Sequence, residues 1–300
     1  MVNVEILLRL VVTGLGLGAL YGLVAIGFTL LFKSTNVLNF AQGQIALFGA
    51  AVLVFMTKNA GLSLPVSFVL IVVMSVVLAL LLEFLIFRHF IGEPILSVII
   101  VTLALASMFR GIVIMTFGSD FTAYPPRLQQ DWALELPYGV DMAAPFVIGV
   151  VLALSIVVLL MVFFRYTVMG LSLRGSASNQ EASMVLGISI ERATVMAWVL
   201  SIVITVLGGV LLGMSRGGVA LSIENVGIII FAAVVFGGLD SIPGAFIGAL
   251  TVGLLEQLGT FYIEPYVGPQ FGTVFPLVFL LAVIIIKPYG LWGTERIERL

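Results

Sequence analysis

Apolar residues run almost without interruption along this chain, and its polar positions gather in clusters that cut it into segments. Continuous apolar stretches cover 6–32, 37–57, 65–86, 95–117, 145–164, 195–214 and 273–287, and a further one, 228–258, is broken in its middle. A bilayer core about 30 Å thick takes about 20 apolar residues per helix, so the pattern predicts about eight to nine membrane-embedded segments. The fold class expected is all-α: a polytopic transmembrane helical bundle, one domain over 1–300, with a broken or re-entrant segment near 228–258. A membrane barrel would need alternating residues in segments of about ten, and these runs are continuous. Gly61-Leu-Ser-Leu-Pro65, Gly92-Glu-Pro94 and Lys287-Pro288-Tyr-Gly290 mark the breaks, because proline cannot donate to the preceding helical turn.

Two segments bring polar groups to membrane depth. In 228–258, the run Phe236-Gly-Gly-Leu-Asp240-Ser-Ile-Pro243-Gly244 leaves flanks too short to cross comfortably, which predicts a re-entrant hairpin or two half-helices. Irregular backbone at that depth survives only inside protein or beside an aqueous cavity, and half-helix ends there commonly face transported solutes. Asp240 and Ser241 are therefore candidate path residues. The run Asn36-Val-Leu-Asn39-Phe-Ala-Gln42-Gly-Gln44 places three amides, Asn39, Gln42 and Gln44, in an otherwise apolar span. Such amides either pair with neighbouring helices or line a water-filled path.

The segment 165–194 is the one long amphipathic stretch. Ala182, Val185, Leu186 and Ile190 recur at three- and four-residue intervals, a stripe expected to hold a surface helix against the bundle. Arg174 and Glu181 would then lie on or beside its solvent face, and Gly187 would supply a left-handed cap. Such an element is suited to docking a soluble partner.

Charge sets the sidedness. The 118–144 stretch carries Asp120, Asp131, Glu135 and Asp141 against Arg127 alone, and reads as an external, periplasmic loop. Arg165, Arg174 and Arg192, the Arg88–His89 pair, and Lys287, Arg296 and Arg299 place 165–194, 87–94 and the tail inside, which puts the N-terminus outside. Arg110, Glu83 and Glu256 lie in or near apolar spans, and Arg110 and Glu83 are expected to snorkel from helix ends. Glu224-Asn225 falls in a short loop positioned to gate an entrance. Gly14, Gly18 and Gly22, and again Gly209, Gly213 and Gly217, recur every four residues, a face on which a second backbone approaches closely.

Composition excludes several classes of function. With 61% hydrophobic and 9% charged residues, the chain is no soluble domain. A net charge of −2 without a basic tract gives no support for a nucleic-acid partner. There is no cysteine and one histidine, His89, so thiolate chemistry is absent and no metal site is expected. No Gly-x4-Gly-Lys-Ser/Thr loop and no Ser/His/Asp set occurs, so neither nucleotide binding nor catalysis is expected of this chain.

Gly16-Leu-Gly-Ala-Leu-Tyr21-Gly-Leu-Val-Ala-Ile-Gly27, followed by Asn36 to Gln44 and Gly49, resembles the opening of the Liv-type permeases. These LivH-like proteins are membrane subunits of branched-chain amino acid ABC importers. Met169-Gly170-Leu-Ser-Leu-Arg174 through Leu186-Gly187, Ala233 through Gly244, and Lys287-Pro288-Tyr-Gly290-Leu-Trp-Gly293 resemble later signatures of that family, in order. Glu181-Ala182-Ser183-Met-Val-Leu-Gly187 also resembles the coupling loop that ABC permeases seat on their ATPase, without the downstream Ile-x-Leu-Pro.

The resemblance implies a multi-pass protein of the bacterial inner membrane. It implies a second homologous permease, two cytoplasmic ATPases that bind ATP and magnesium, a periplasmic solute-binding protein, and a hydrophobic amino acid as solute. No cofactor is implied in this chain. Relatives in the family also move urea, short amides and aromatic or other carboxylates. Two positions depart from the usual pattern, Gln44 for an acidic residue and Asp240 for glycine. An ion-coupled secondary transporter, the alternative reading, would need a relay of buried ionisable groups, and these are scarce.

Overall fold

A computed structural model describes residues 4–118, 120–125, 133–178, 180–185, 187–287 and 290–293. Among them, six helices are long and apolar enough to cross a bilayer. These are α1 (Val4–Thr35), α3 (Leu64–Leu85), α4 (Ile95–Phe117), α5 (Ala144–Tyr166), α8 (Ile190–Ser215) and α10 (Ile242–Tyr262). Shorter helices are α2 (Gln42–Val54), α6 (Val168–Ser178), α7 (Gln180–Val185), α9 (Val226–Gly237), α11 (Glu264–Val267) and α12 (Phe271–Ile286). The described residues thus form an all-α bundle, as the apolar pattern predicts.

The bundle is built around α1. Its apolar window is 89% buried, whereas those of α3, α4 and α5 are 28%, 33% and 22% buried and present most of their surface outward. Glycine allows this central position. Gly14, Gly18 and Gly22 face Leu254, Leu250 and Phe246 of α10, so the two helices run antiparallel with their backbones in close approach. Gly16 meets Phe146 near the start of α5, and the Lys33 ammonium lies 5.6 Å from the Phe164 ring near its end, so α1 and α5 run parallel. On α8, Gly208 faces Leu23 and Val24 while the Ser201 hydroxyl donates to the Gly27 carbonyl at 2.7 Å, which makes that pair antiparallel.

Sidedness follows from these pairings. The start of α1 lies on the same side as 118–144, and its end lies beside 165–194, where the Asn36 amide donates to the Ala177 carbonyl at 2.9 Å. On the 118–144 side, strand β1 (Thr122–Ala123) pairs with β4 (Gly218–Val219), and β2 (Ala133–Leu136) forms a hairpin with β3 (Val140–Ala143). Tyr124 pins this region to α2, its phenol donating to the Ala50 carbonyl at 3.1 Å. Burial pushes that phenol far above its ordinary pKa, so it remains a donor.

Three expectations are corrected. The stretch 37–57 is not one spanning helix: residues 36–41 are irregular, α2 begins at Gln42, and a π-helical turn (Phe55–Asn59) follows it. Its start is fixed locally, because Asn36 adopts a left-handed φ of 56° after α1 and the Asn39 side-chain oxygen Oδ1 accepts from the Ala41 backbone amide at 3.1 Å. In 228–258, only α9 is a half-helix; α10 has 21 residues and crosses fully. The third concerns glycine: Gly209 faces Ala46 and Gly213 faces Ala50 and Tyr124, but Gly217 lies beyond α8 in a left-handed turn at φ 70°, where an added Cβ would meet open space.

The 165–194 stretch is two helices rather than one. The face held against the bundle consists of Gly170, Leu173 and Ser176 on α6 and Ser183 on α7, with Ile190 opening α8. Ala182 and Val185 are exposed, contrary to the expected stripe. α7 ends at Val185 and the chain turns at Gly187 into α8, so a periodicity counted from Ala182 to Ile190 does not describe one surface, and within α7 it is Ser183 that faces inward. Leu186 and the Glu181 side chain lie outside the described residues. Gly187 has φ 80°, with its amide on Met184 and that of Ile188 on the Ser183 carbonyl at 2.9 and 3.0 Å, the paired bonds of a glycine-terminated helix.

Candidate functional site

The two half-helices start at the same depth. Gln42, the first residue of α2, lies beside Ser201 and Thr205, partway along the crossing helix α8. Gly43 packs backbone to backbone on Glu224 and Gly227 at the start of α9, with no room for a side chain between them. From this point α2 runs toward the 118–144 side. The other half-helix, α9, runs toward the 165–194 side, where the Lys33 ammonium donates to the Asp240 carbonyl at 3.0 Å. Both helices therefore direct the positive ends of their dipoles at the middle of the bundle.

A cavity of about 430 Å³ lies at that point. One wall is apolar and aromatic: Phe231 lies 5.7 Å from Phe40 and 6.1 Å from Phe28 between ring centres, with Ile228 beside them. The other is polar, formed by Asn39, Gln42, Gln44, Asn225, Arg110 and Glu224. Arg110 Nη1 and Glu224 Oε1 lie 3.4 Å apart, with the arginine side chain 53% exposed and the glutamate 12%. The second glutamate oxygen, Oε2, and Gln44 Oε1 are buried without a hydrogen-bond partner. Buried acceptors lacking a donor are uncommon and call for a physical account.

The amides singled out in the sequence separate into two roles. Asn39 and Gln42 are almost fully buried and belong to an interhelical network. The Asn39 amide donates to Gln42 Oε1 at 2.8 Å, and the Gln42 amide donates to Ser201 Oγ at 3.3 Å and to Thr205 Oγ1. These bonds join the start of α2 to α8, so the two residues back the cavity more than they face it. Gln44 lines the cavity, its carbonyl oxygen free of that network.

Asp240 and Ser241 are elsewhere. They form the α9–α10 turn on the 165–194 side, where Ser241 Oγ caps α10 by accepting from the Gly244 amide at 3.2 Å. The structure does not bring them to the Asn39–Gln44 region.

Two expectations about charge are also overturned. Arg110 does not snorkel away from the bundle but pairs across it with Glu224. Glu83 is 1% exposed, buried within the bundle rather than reaching for an interface. Sequence reasoning missed the Arg110–Glu224 pair and the Phe28, Phe40 and Phe231 wall. The signal available was that each charge stands alone in an apolar setting, where an opposite charge is the economical partner.

A second cavity, of about 260 Å³, opens on the 165–194 side. It lies between residues 34–38, the 90–93 loop and Ser176 of α6, with Trp198 stacked on Phe87 at 3.8 Å as its back wall. Outside it, α6 and α7 turn Val168, Leu171, Met184 and Val185 to solvent, Val185 at 87% exposure, with Arg174 exposed beside them. Exposed apolar side chains clustered on two short helices are a feature shared by protein-contacting and membrane-contacting surfaces.

The profile of the family described as branched-chain amino acid transport system, permease component, matches residues 10–286. A probable branched-chain amino acid transport permease protein LivH of Methanocaldococcus jannaschii is 31% identical, over 93% of this chain and 90% of that protein. The high-affinity branched-chain amino acid transport system permease protein LivH of Escherichia coli K12 is 27% identical, over 95% of each. More distantly, an autoinducer 2 import system permease protein, LsrC of Shigella flexneri, is 27% identical over 88% of this chain and 74% of its own length. Among solved structures, PsaBC from Streptococcus pneumoniae in complex with Fab has a similar fold, with a TM-score of 0.52 and 17% identity over 94% of this chain and 91% of that one. A bundle with paired half-helices, matched by one family along nearly its whole length, makes this chain a member of the branched-chain amino acid transport permease family.

Proposed function

We propose that this chain is the membrane-spanning subunit of an ATP-driven ABC importer that moves branched-chain or other hydrophobic amino acids across a bacterial inner membrane. The observation that carries this reading is the cavity where α2 and α9 begin, polar on one wall and aromatic on the other, within an otherwise apolar bundle. Its relatives' names support the solute class. A second homologous permease completes the path. The 118–144 side receives a periplasmic solute-binding protein, and Val168, Leu171, Met184 and Val185 of the α6–α7 face seat on two cytoplasmic ATPases. ATP and magnesium are held by those partners.

The docking helices and the path are mechanically joined in this reading. Leu173 and Ser176 anchor α6, Asn36 ties α6 to the end of α1, and residues 36–41 lead from there to Asn39 and α2. A shift of α6 is passed along this short, hydrogen-bonded route to the start of α2, where the cavity lies.

The test is uptake by the reconstituted complex, both permeases, the ATPases and the binding protein, in proteoliposomes. ATP-dependent accumulation of leucine, isoleucine or valine, unaffected by a protonophore, is the expected result. Uptake of urea or aromatic acids in preference to all three would move the chain to another branch of solute chemistry. Uptake that collapses with a protonophore and ignores ATP would identify an ion-coupled carrier.

A further inference from the structure

We propose that Arg110 and Glu224 form a reader for zwitterions, the guanidinium taking the α-carboxylate and the carboxylate taking the α-ammonium of an amino acid in the mid-depth cavity. This rests on the functional reading above and specifies how its site selects solute. The ion pair is a single contact, Nη1 to Oε1 at 3.4 Å. A guanidinium has five N–H donors and accepts a carboxylate in a two-pronged arrangement. Arg110 remains more than half exposed where it lines the cavity, which leaves it accessible to such a group.

The opposite charge has matching capacity. Glu224 Oε2 and Gln44 Oε1 are acceptors without a donor, and an ammonium brings three donors. Both side chains line the same cavity, so an ammonium held there supplies the kind of donor that these oxygens lack. The aliphatic part of the solute then lies against Phe28, Phe40, Phe231 and Ile228. At about 430 Å³ the cavity falls within the range of small-molecule sites, about 300–1,000 Å³.

The charge balance explains why a zwitterion is favoured. With the cavity empty, Arg110 and Glu224 neutralise one another, which limits the cost of holding two charges at membrane depth. A zwitterion inserts as a second, oppositely oriented pair and keeps the site neutral. A monocarboxylate occupies Arg110 and leaves Glu224 as an uncompensated charge. A monoamine does the reverse, and urea satisfies neither charge.

Equilibrium binding to the purified permease–ATPase complex, without binding protein, tests this with three probes: L-leucine, 4-methylpentanoate and isoamylamine. The wild type should bind leucine at least tenfold more tightly than either singly charged analogue. Glu224→Gln should abolish the preference over 4-methylpentanoate, and Arg110→Gln the preference over isoamylamine, with ATPase co-purification retained. Should those variants fail to assemble, Arg110→Lys and Glu224→Asp serve instead, with preference reduced but not lost. Equal wild-type affinity for leucine and 4-methylpentanoate would overturn the proposal without any variant, as would assembled variants with an unchanged order of preference. Either result, beside ATP-dependent leucine uptake by the wild type, removes the zwitterion reader and leaves the importer reading standing. Absence of amino-acid uptake by the wild type removes the importer reading itself.

Discussion

The phenol of Tyr21 on α1 donates to the carboxylate of Glu256 on α10 at 2.8 Å, joining residues 235 positions apart inside the helix pair at the centre of the bundle. Tyr21 is fully buried, and Glu256 is partly buried. Tyr21→Phe keeps the ring and removes the donor, leaving a partly buried carboxylate without it. A loss of about 1–3 kcal/mol is expected. Thermal unfolding of the purified complex, followed by intrinsic fluorescence, should show a lower midpoint, with Glu256→Gln milder because its amide can still accept.

Gly18 tests the α1–α10 seam. A Cβ there would lie 2.7 Å from the Leu250 Cα and 2.8 Å from the Ala249 carbonyl oxygen, both backbone atoms that cannot turn aside. Even Gly18→Ala should destabilise, by about 1–3 kcal/mol as for an overpacked core. Gly18→Leu should abolish assembly, read as loss of the monodisperse peak in size-exclusion chromatography. A normal profile for the leucine variant would mean that this seam opens readily.

Gln42 and Gln44, two residues apart, should respond differently to the same substitution. Gln42→Ala strips partners from Asn39, Ser201 and Thr205 and should lower stability by about 1–3 kcal/mol. Gln44→Ala removes an acceptor that bonds nothing in the protein, so it should leave the unfolding midpoint within about 0.5 kcal/mol of wild type and instead weaken solute affinity. Asp240→Asn, remote from the cavity, should leave affinity unchanged. Melting curves and uptake kinetics on the three variants separate these outcomes.

Val185 is the most exposed of the aliphatic side chains on the α6–α7 face, and Val185→Asp should leave the fold intact. Recovery of the ATPase subunits with the permease should fall several-fold. Gly187→Val acts through backbone geometry instead, because φ 80° is a conformation that costs a side-chain-bearing residue about 1–2 kcal/mol, and a β-branched one more. It should reduce solute-stimulated ATP hydrolysis while insertion continues. Crosslinks from residues 176–183 should reach the ATPases and not the binding protein.

Helix positions were legible in the sequence wherever the signal was length and polarity. The stretch read as 95–117 is α4 over Ile95–Phe117, and 65–86 is α3 over Leu64–Leu85. Water-free surroundings force every spanning segment to satisfy its own backbone, so a long apolar run becomes a helix whatever packs around it. The glycine face of α1 was legible for a similar reason: small residues four apart are a local pattern with one steric consequence. So was the left-handed Gly187.

Partnership was not legible, because in this chain both the lipid-facing and the buried sides of a helix are apolar, and a hydrophobic pattern without polar contrast carries no direction. That is why the sequence could not say that α1 is enclosed while α3 and α5 face outward. Arg110 and Glu224, 114 positions apart in sequence, meet only because α4 and the start of α9 are brought together across α2. The expected stripe from Ala182 to Ile190 failed because the turn at Gly187 separates α7 from α8 and α7 turns Ser183 inward instead. Sequence alone determined the helices and the family to which they belong, since both are written in local composition and order. The folded bundle decided where two half-helices begin, which charges face each other and which surface is left for a partner, since each depends on contacts between residues far apart in the chain.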